Sequence, residues 1–98
     1  MVKLSKKEIR KYLANIKNWK LNKDFKKIKQ EFNFKNFKQA INFVNKIAKL
    51  AENEKHHPDI HIFYNRVRIE VWTHTIGGLS EKDFMMASKI NKLIKSKF

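Results

Sequence analysis

There is no cysteine among the 98 residues, and that absence removes disulfide scaffolds, Cys-type zinc fingers and cysteine nucleophiles. Nothing then points to an oxidising compartment, so a cytoplasmic protein is expected. Two glycines and one proline leave no room for a long flexible linker. No apolar run approaches the ~18–20 residues of a membrane span. The start, Met1-Val2-Lys3-Leu4-Ser5-Lys6-Lys7-Glu8, lacks the apolar stretch of a signal peptide. One domain over residues 1–98 with a modest core is expected, since a chain this short buries roughly 60–70% of the surface its unfolded form exposes.

Acidic residues are also scarce: 9 Asp and Glu stand against 23 Lys and Arg, a formal net charge of +14. Such an excess is the electrostatic footprint of a nucleic-acid binder, because each cation set against a phosphate releases counterions. The detail weakens that reading. Only Arg10, Arg66 and Arg68 carry the planar fork that phosphate and base edges favour. The lysines are spread along the chain rather than grouped in a stripe, so the charge reads as compositional bias over solvated faces, with nucleic acid not expected as a partner.

Three helix starts share one chemical form: Ser5-x-x-Glu8, Asn36-x-x-Gln39 and Ser80-x-x-Asp83. In each, the first residue can accept from an orphan helical N–H while the fourth reaches back to the first. The first helix is expected over Lys6–Ile16, burying Ile9, Tyr12, Leu13 and Ile16. The second places Phe37, Ala40, Ile41, Val44, Ile47 or Ala48, and Ala51 on one stripe and stops near His56, ahead of Pro58. The third is expected over Glu81–Ser96 with Phe84, Ala87, Ile90 or Asn91, and Ile94 inward.

Between the helices the period changes to two. Ile28, Phe32 and Phe34 alternate with polar residues, preceded by a short strand at Trp19–Asn22. Ile60, Ile62 and Tyr64 alternate before Asn65-Arg66, and Val67, Ile69, Val71 and Thr73 after it, with Asn65 expected to take positive φ in a tight hairpin. The order α-β-β-α-β-β-α predicts an α+β domain: a four-stranded antiparallel sheet with three helices on one face. The opposite face carries Lys, Arg and Glu, with Phe63 and Trp72 expected against another subunit.

All four histidines fall between His56 and His74. Imidazole gives or takes a proton near neutral pH, which suits acid–base work. Glu52 lies four residues before His56, where a helix face would let it hold that ring. Strand parity sets His61 beside Phe63, away from the apolar face, and His74 where the last strand runs out into Thr75-Ile76-Gly77-Gly78. His57-x-x-x-His61 has a chelating spacing, but Pro58 breaks the helix that would align it and no Cys or suitably spaced carboxylate completes a tetrahedral set, so no metal site is expected. Asp83 reads as a cap and Gly77-Gly78 as turn residues; Asp59 either positions substrate or starts a strand.

The string Glu52-x-x-x-His56-His57-Pro58-Asp59, followed by Tyr64-Asn65-Arg66-Val67, Thr73-His74 and Gly77-Gly78-Leu79-Ser80-Glu81-Lys82-Asp83, closely resembles the pterin-4a-carbinolamine dehydratases. Trp19, Phe32-Asn33-Phe34-x-x-Phe37 and Ala40 extend the likeness over nearly the whole chain. The resemblance implies a cofactor-free lyase that dehydrates 4a-hydroxytetrahydrobiopterin to quinonoid dihydropterin and water in tetrahydropterin recycling, and a homodimer or homotetramer. It places the active-site histidines at His56, His57 and His74, with Glu52 as supporting carboxylate and Asp83 as the last acid of the pattern. Groups around Asp59 and Thr73 are expected to read the pterin's polar edge, with His56 as the acid. Many members carry Trp two residues after the proline; this chain has Ile60. Other readings stay open: a small basic nucleic-acid-binding or protein-interaction domain, or the same fold acting on another pterin, such as one of molybdopterin metabolism.

Overall fold

The computed structural model describes residues 1–97. Helix α1 (Lys6–Leu13) opens on a reciprocal cap, with the Ser5 N–H donating to Glu8 Oε1 at 2.9 Å and the Glu8 N–H to Ser5 Oγ at 3.2 Å. It stops three residues short of the expected Ile16. There the hydrogen bonds tighten to three-residue spacing, Asn15 N–H to Tyr12 C=O and Ile16 N–H to Leu13 C=O, and Asn18 takes a φ of 70°.

Strands β1 (Lys20–Leu21) and β2 (Ile28–Asn33) form the first hairpin, β3 (Asp59–Phe63) and β4 (Arg66–Val71) the second, joined antiparallel in the order β1-β2-β4-β3. Phe32 opposes Val67, and Ile60 opposes Ile69. One sheet face therefore carries Ile28, Phe32, Val67, Ile69 and Val71, all buried, and joins buried residues of all three helices in a single core. The other face carries Lys29, Glu31, His61, Phe63, Arg66, Arg68 and Glu70. In the second hairpin it is Tyr64, at φ 52°, and not Asn65 that takes the left-handed conformation. Asn65 instead presents its carbonyl to the Phe34 N–H at 2.8 Å.

Helix α2 (Phe37–Glu54) is capped by Asn36, whose side chain accepts from the Gln39 N–H at 2.9 Å; Gln39 reaches back one residue further, to the Lys35 N–H at 3.0 Å. Its buried stripe is Ala40, Phe43, Ile47 and Ala51, while Phe37, expected inside, is 50% exposed. The observed stripe keeps Ala40, Ile47 and Ala51 of the expected one but turns Phe43 inward in place of Phe37. Phe43 fills the space between Phe32 and Phe34, with ring centroids at 4.8 and 5.1 Å, and full burial of such a ring contributes about 1.5–3 kcal/mol.

Helix α3 (Glu81–Lys97) buries Phe84, Met86, Ala87 and Ile90. Asn91 is no core residue: its Oδ1 accepts from Trp19 Nε1 at 3.0 Å and Gln30 Nε2 at 3.1 Å, a polar plug where β1, β2 and α3 meet.

Candidate active site

Three chain ends converge at one corner: the C-terminus of α2, the exit of β4 and the N-terminus of α3. Helix α2 is closed by Lys55 in the left-handed conformation (φ 53°), and the His56 N–H turns back to the Ala51 carbonyl at 3.1 Å. This reversal lies before Pro58, and it takes His56 off the helical screw. The expected contact of Glu52 with His56 fails for that reason. Glu52 Oε2 instead meets His57 Nε2 at 2.6 Å, in a pair with both side chains largely in solvent (75% and 63% exposed).

The carboxylate on His56 is Asp83, with His56 Nε2 to Asp83 Oδ1 at 2.5 Å. The pair is enclosed, with side chains 10% and 0% exposed. Asp83 Oδ2 accepts two further hydrogen bonds, from Thr73 Oγ1 at 2.8 Å and from the Ser80 N–H at 2.9 Å. Thr73 has spent its only hydroxyl hydrogen there, so at 2.9 Å it accepts from Ser80 Oγ. The capping motif of α3 is thus half formed: Asp83 reaches back to the Ser80 N–H as expected, while the Ser80 hydroxyl serves Thr73. Asp83 is both a helix cap and the anchor of a histidine. A buried carboxylate that accepts at both oxygens, one bond on Oδ1 and two on Oδ2, fixes the ring that it holds.

His74 leaves β4 on a pinched loop. Thr73 and Gly78 bridge across it (Thr73 N–H to Gly78 C=O, 2.8 Å), residues His74–Ile76 make one tight turn, and Gly77 closes it at φ 59°. The His74 ring stands on the indole of Trp72, centroids 4.0 Å apart. His56, His57, Thr73 and His74 line one cleft of about 300 Å³, together with Lys55 and Trp72.

Not every expected residue belongs there. Asp59 does not line the cleft; its Oδ2 accepts from Trp72 Nε1 at 2.9 Å. Ile60 packs against the core. His61 lies on the open sheet face, opposite Arg68 and 4.0 Å from Glu70, and it does not line the cleft. Trp72 and Ser80 were missed as site residues. Trp72 had a signal, since it shares strand parity with His74, whereas the role of Ser80 was hidden behind its capping pattern.

A larger hollow of about 640 Å³ on the open face is lined by Asn18, Lys20, Lys29, Gln30, Glu31 and Arg68. It holds none of the histidines. Of its lining residues, Arg68 lies 3.3 Å from Glu70, and Glu31 lies 3.9 Å from Arg66. Among the described residues no helix is long and apolar enough to cross a membrane.

Comparison with known proteins places this corner in context. Residues 2–93 match the family model described as pterin 4 alpha carbinolamine dehydratase. Proteins bearing that family's name are similar over nearly their full lengths: one from Aquifex aeolicus is 41% identical, covering 95% of this chain and 92% of its own. One from Sulfolobus acidocaldarius is 45% identical, covering 94% and 99%. A solved structure titled as a transcriptional coactivator/pterin dehydratase from Brucella melitensis superposes with a TM-score of 0.88 at 33% identity, covering 94% of this chain and 98% of that one.

Proposed function

Because the chain belongs to the pterin 4 alpha carbinolamine dehydratase family, we propose that it removes water from 4a-hydroxytetrahydrobiopterin, giving quinonoid dihydropterin, by histidine acid–base catalysis in tetrahydropterin recycling. The observation that carries this reading is the convergence of His56, His57, His74 and Thr73 on one cleft, with the buried Asp83 behind His56. In the reaction the N5–H proton is removed, the N5=C4a double bond forms, and the C4a–O bond breaks as the leaving hydroxyl takes up a proton. The substrate supplies both electrons of the new bond and no oxidant is needed. Two imidazoles in opposite protonation states meet both proton demands near neutral pH.

The carboxylate behind His56 supports a division of roles. With its Nε2–H given to Asp83, neutral His56 carries its lone pair on Nδ1 and takes the N5 proton; the imidazolium that forms faces the Asp83 carboxylate. This differs from the acid role expected for His56, and the difference rests on the tautomer that the Asp83 contact at Nε2 fixes, since either carboxylate would stabilise the imidazolium. His74, at the exposed rim, protonates the leaving hydroxyl. His57, held by Glu52 in solvent, binds and orients the pterin, and the polar groups around Thr73 meet its edge. Homo-oligomer formation belongs to the same proposal, with the β3 edge strand and its exposed Ile62 and Phe63 as surface to be covered.

The test is the loss of freshly generated 4a-hydroxytetrahydropterin, followed by ultraviolet absorbance, with wild type, His56→Ala, His74→Ala and no protein. The blank matters because the dehydration also proceeds unaided. Each variant is expected to lose on the order of 10²–10⁴-fold in rate, with opposite limbs of the pH–rate profile affected. Loss of the same limb in both would overturn the division of labour. No acceleration over the blank by folded wild type would overturn the dehydratase reading.

A further inference from the structure

Three of the four histidines have a carboxylate on the ring: Asp83 on His56, Glu52 on His57 and Glu70 near His61. His74 has none. Among the described residues its side chain makes no hydrogen bond or ion pair, and the contact that orients it is the face of Trp72, at 4.0 Å between centroids and 33° between planes. An imidazole on an exposed loop with no polar anchor turns freely about two bonds, and a freely turning acid spends little time aimed at its target. The indole removes that freedom, provided that the indole itself is held.

It is held twice. Trp72 Nε1 donates to Asp59 Oδ2 at 2.9 Å, from the first residue of the neighbouring strand β3, and the Lys27 ammonium lies 4.9 Å from the Trp72 ring. Lys27 is itself 3.8 Å from Glu70, the register partner of Asp59. The indole is thus clamped between a charge-assisted hydrogen bond at its edge and a cation at its face. Asp59 serves His74 as Asp83 serves His56, but at one remove.

We propose that Trp72, latched by Asp59, is the positioning residue of the His74 imidazole. The idea rests on the dehydratase reading for its kinetic consequence but not for its geometry, and the two are separable by experiment.

The geometric arm is read by NMR without substrate. The carbon-bound ring protons of His74 should be displaced upfield by the indole ring current, lose that displacement in Trp72→Leu and Asp59→Ala, and keep most of it in Asp59→Asn, whose side-chain oxygen can still accept from the indole N–H. The kinetic arm uses the dehydration assay. Trp72→Leu should lower kcat by about 10- to 100-fold with KM little changed, the scale of a misplaced reacting group. Trp72→Phe, which keeps a ring face, should recover part of the loss. The double variant Trp72→Leu/His74→Ala should be no slower than His74→Ala, because a residue that acts only through His74 has nothing left to position. An unshifted His74 in wild type, multiplicative losses in the double variant, or a rise in KM with kcat intact would each overturn the proposal. If folded wild type does not dehydrate the substrate, the dehydratase reading falls, and the ring-current arm alone decides the positioning.

Discussion

Asp83→Asn separates what the buried carboxylate does for the fold from what it does for the site. Asparagine has the same shape, and its side-chain oxygen can replace Oδ2 in accepting from Thr73 Oγ1 and the Ser80 N–H. The amide nitrogen then faces His56 Nε2 and can only donate, so the imidazole must move its proton to Nδ1, the atom that the mechanism requires to be free. Stability should fall by about 1–2 kcal/mol, as charge-assisted bonds become neutral ones. The rate should fall by roughly 10²–10⁴-fold, as expected when a catalytic imidazole is held in the wrong tautomer. Asp83→Ala differs in kind. It strands the Ser80 N–H and His56 in an enclosed space and leaves the Thr73 hydroxyl with Ser80 alone, at about 3–5 kcal/mol. Against the ~5–15 kcal/mol total of an ordinary domain, that brings the protein near its unfolding limit. Urea denaturation followed by tryptophan fluorescence gives the first quantity, the dehydration rate the second, and ¹⁵N NMR of the His56 ring the tautomer itself. A wild-type rate in folded Asp83→Asn, or an unchanged tautomer, would refute the reasoning.

Other outcomes follow from the same geometry. His57→Ala should leave the urea midpoint almost unmoved, because its pair with Glu52 is solvated and such pairs contribute about 0–1 kcal/mol, while raising KM more than it lowers kcat in the dehydration assay. Tyr12 donates its hydroxyl to Glu81, and this hydrogen bond, ahead of burial and nearby negative charge, holds the phenol above its usual pKa of 10.0. A pKa raised in the folded state means that this contribution is fully present below pH 10 and is lost as pH rises through the folded value. In a Tyr64→Phe background the phenolate absorbance of Tyr12 should accordingly appear above pH 10, and Glu81→Gln should bring it down. Gly77 and Gly78 should respond differently to alanine. A Cβ at Gly77 meets nothing within 4 Å but sits at φ 59°, costing about 1–2 kcal/mol. At Gly78 the nearest atom, at 2.7 Å, is Cε of the flexible Lys3 side chain, so thermal melts should show the smaller loss there.

Much of the fold was legible because local patterns agreed with one another. The reciprocal cap at Ser5 and Glu8, the alternation of Val67, Ile69 and Val71, and the change of period between helices and strands each hold without reference to distant residues. The misreadings came where contacts distant in sequence decided the outcome. Phe37 and Phe43 lie on overlapping helical stripes, and only the gap between Phe32 and Phe34 selects Phe43. In the hairpin, asparagine's tolerance of positive φ pointed to Asn65, but the bond from Phe34 to the Asn65 carbonyl fixed that residue and passed the left-handed conformation to Tyr64.

At the candidate site the sequence by itself determined which groups are available: the histidines, the Thr73–His74 step after β4, and the acid three residues into α3. A motif needs only residue types and spacing, and these are one-dimensional. Partnership is not. Glu52 stands four residues from His56, and Asp83 stands twenty-seven, yet the left-handed turn at Lys55 gives Glu52 to His57 and leaves His56 to the buried acid. Asp59 reaches across to Trp72 because adjacent antiparallel strands set the end of one beside the start of the next. Only the tertiary structure decided which carboxylate governs which imidazole, since the free energy of a charged hydrogen bond depends on distance and on water excluded from around it, and the packing of the chain sets both.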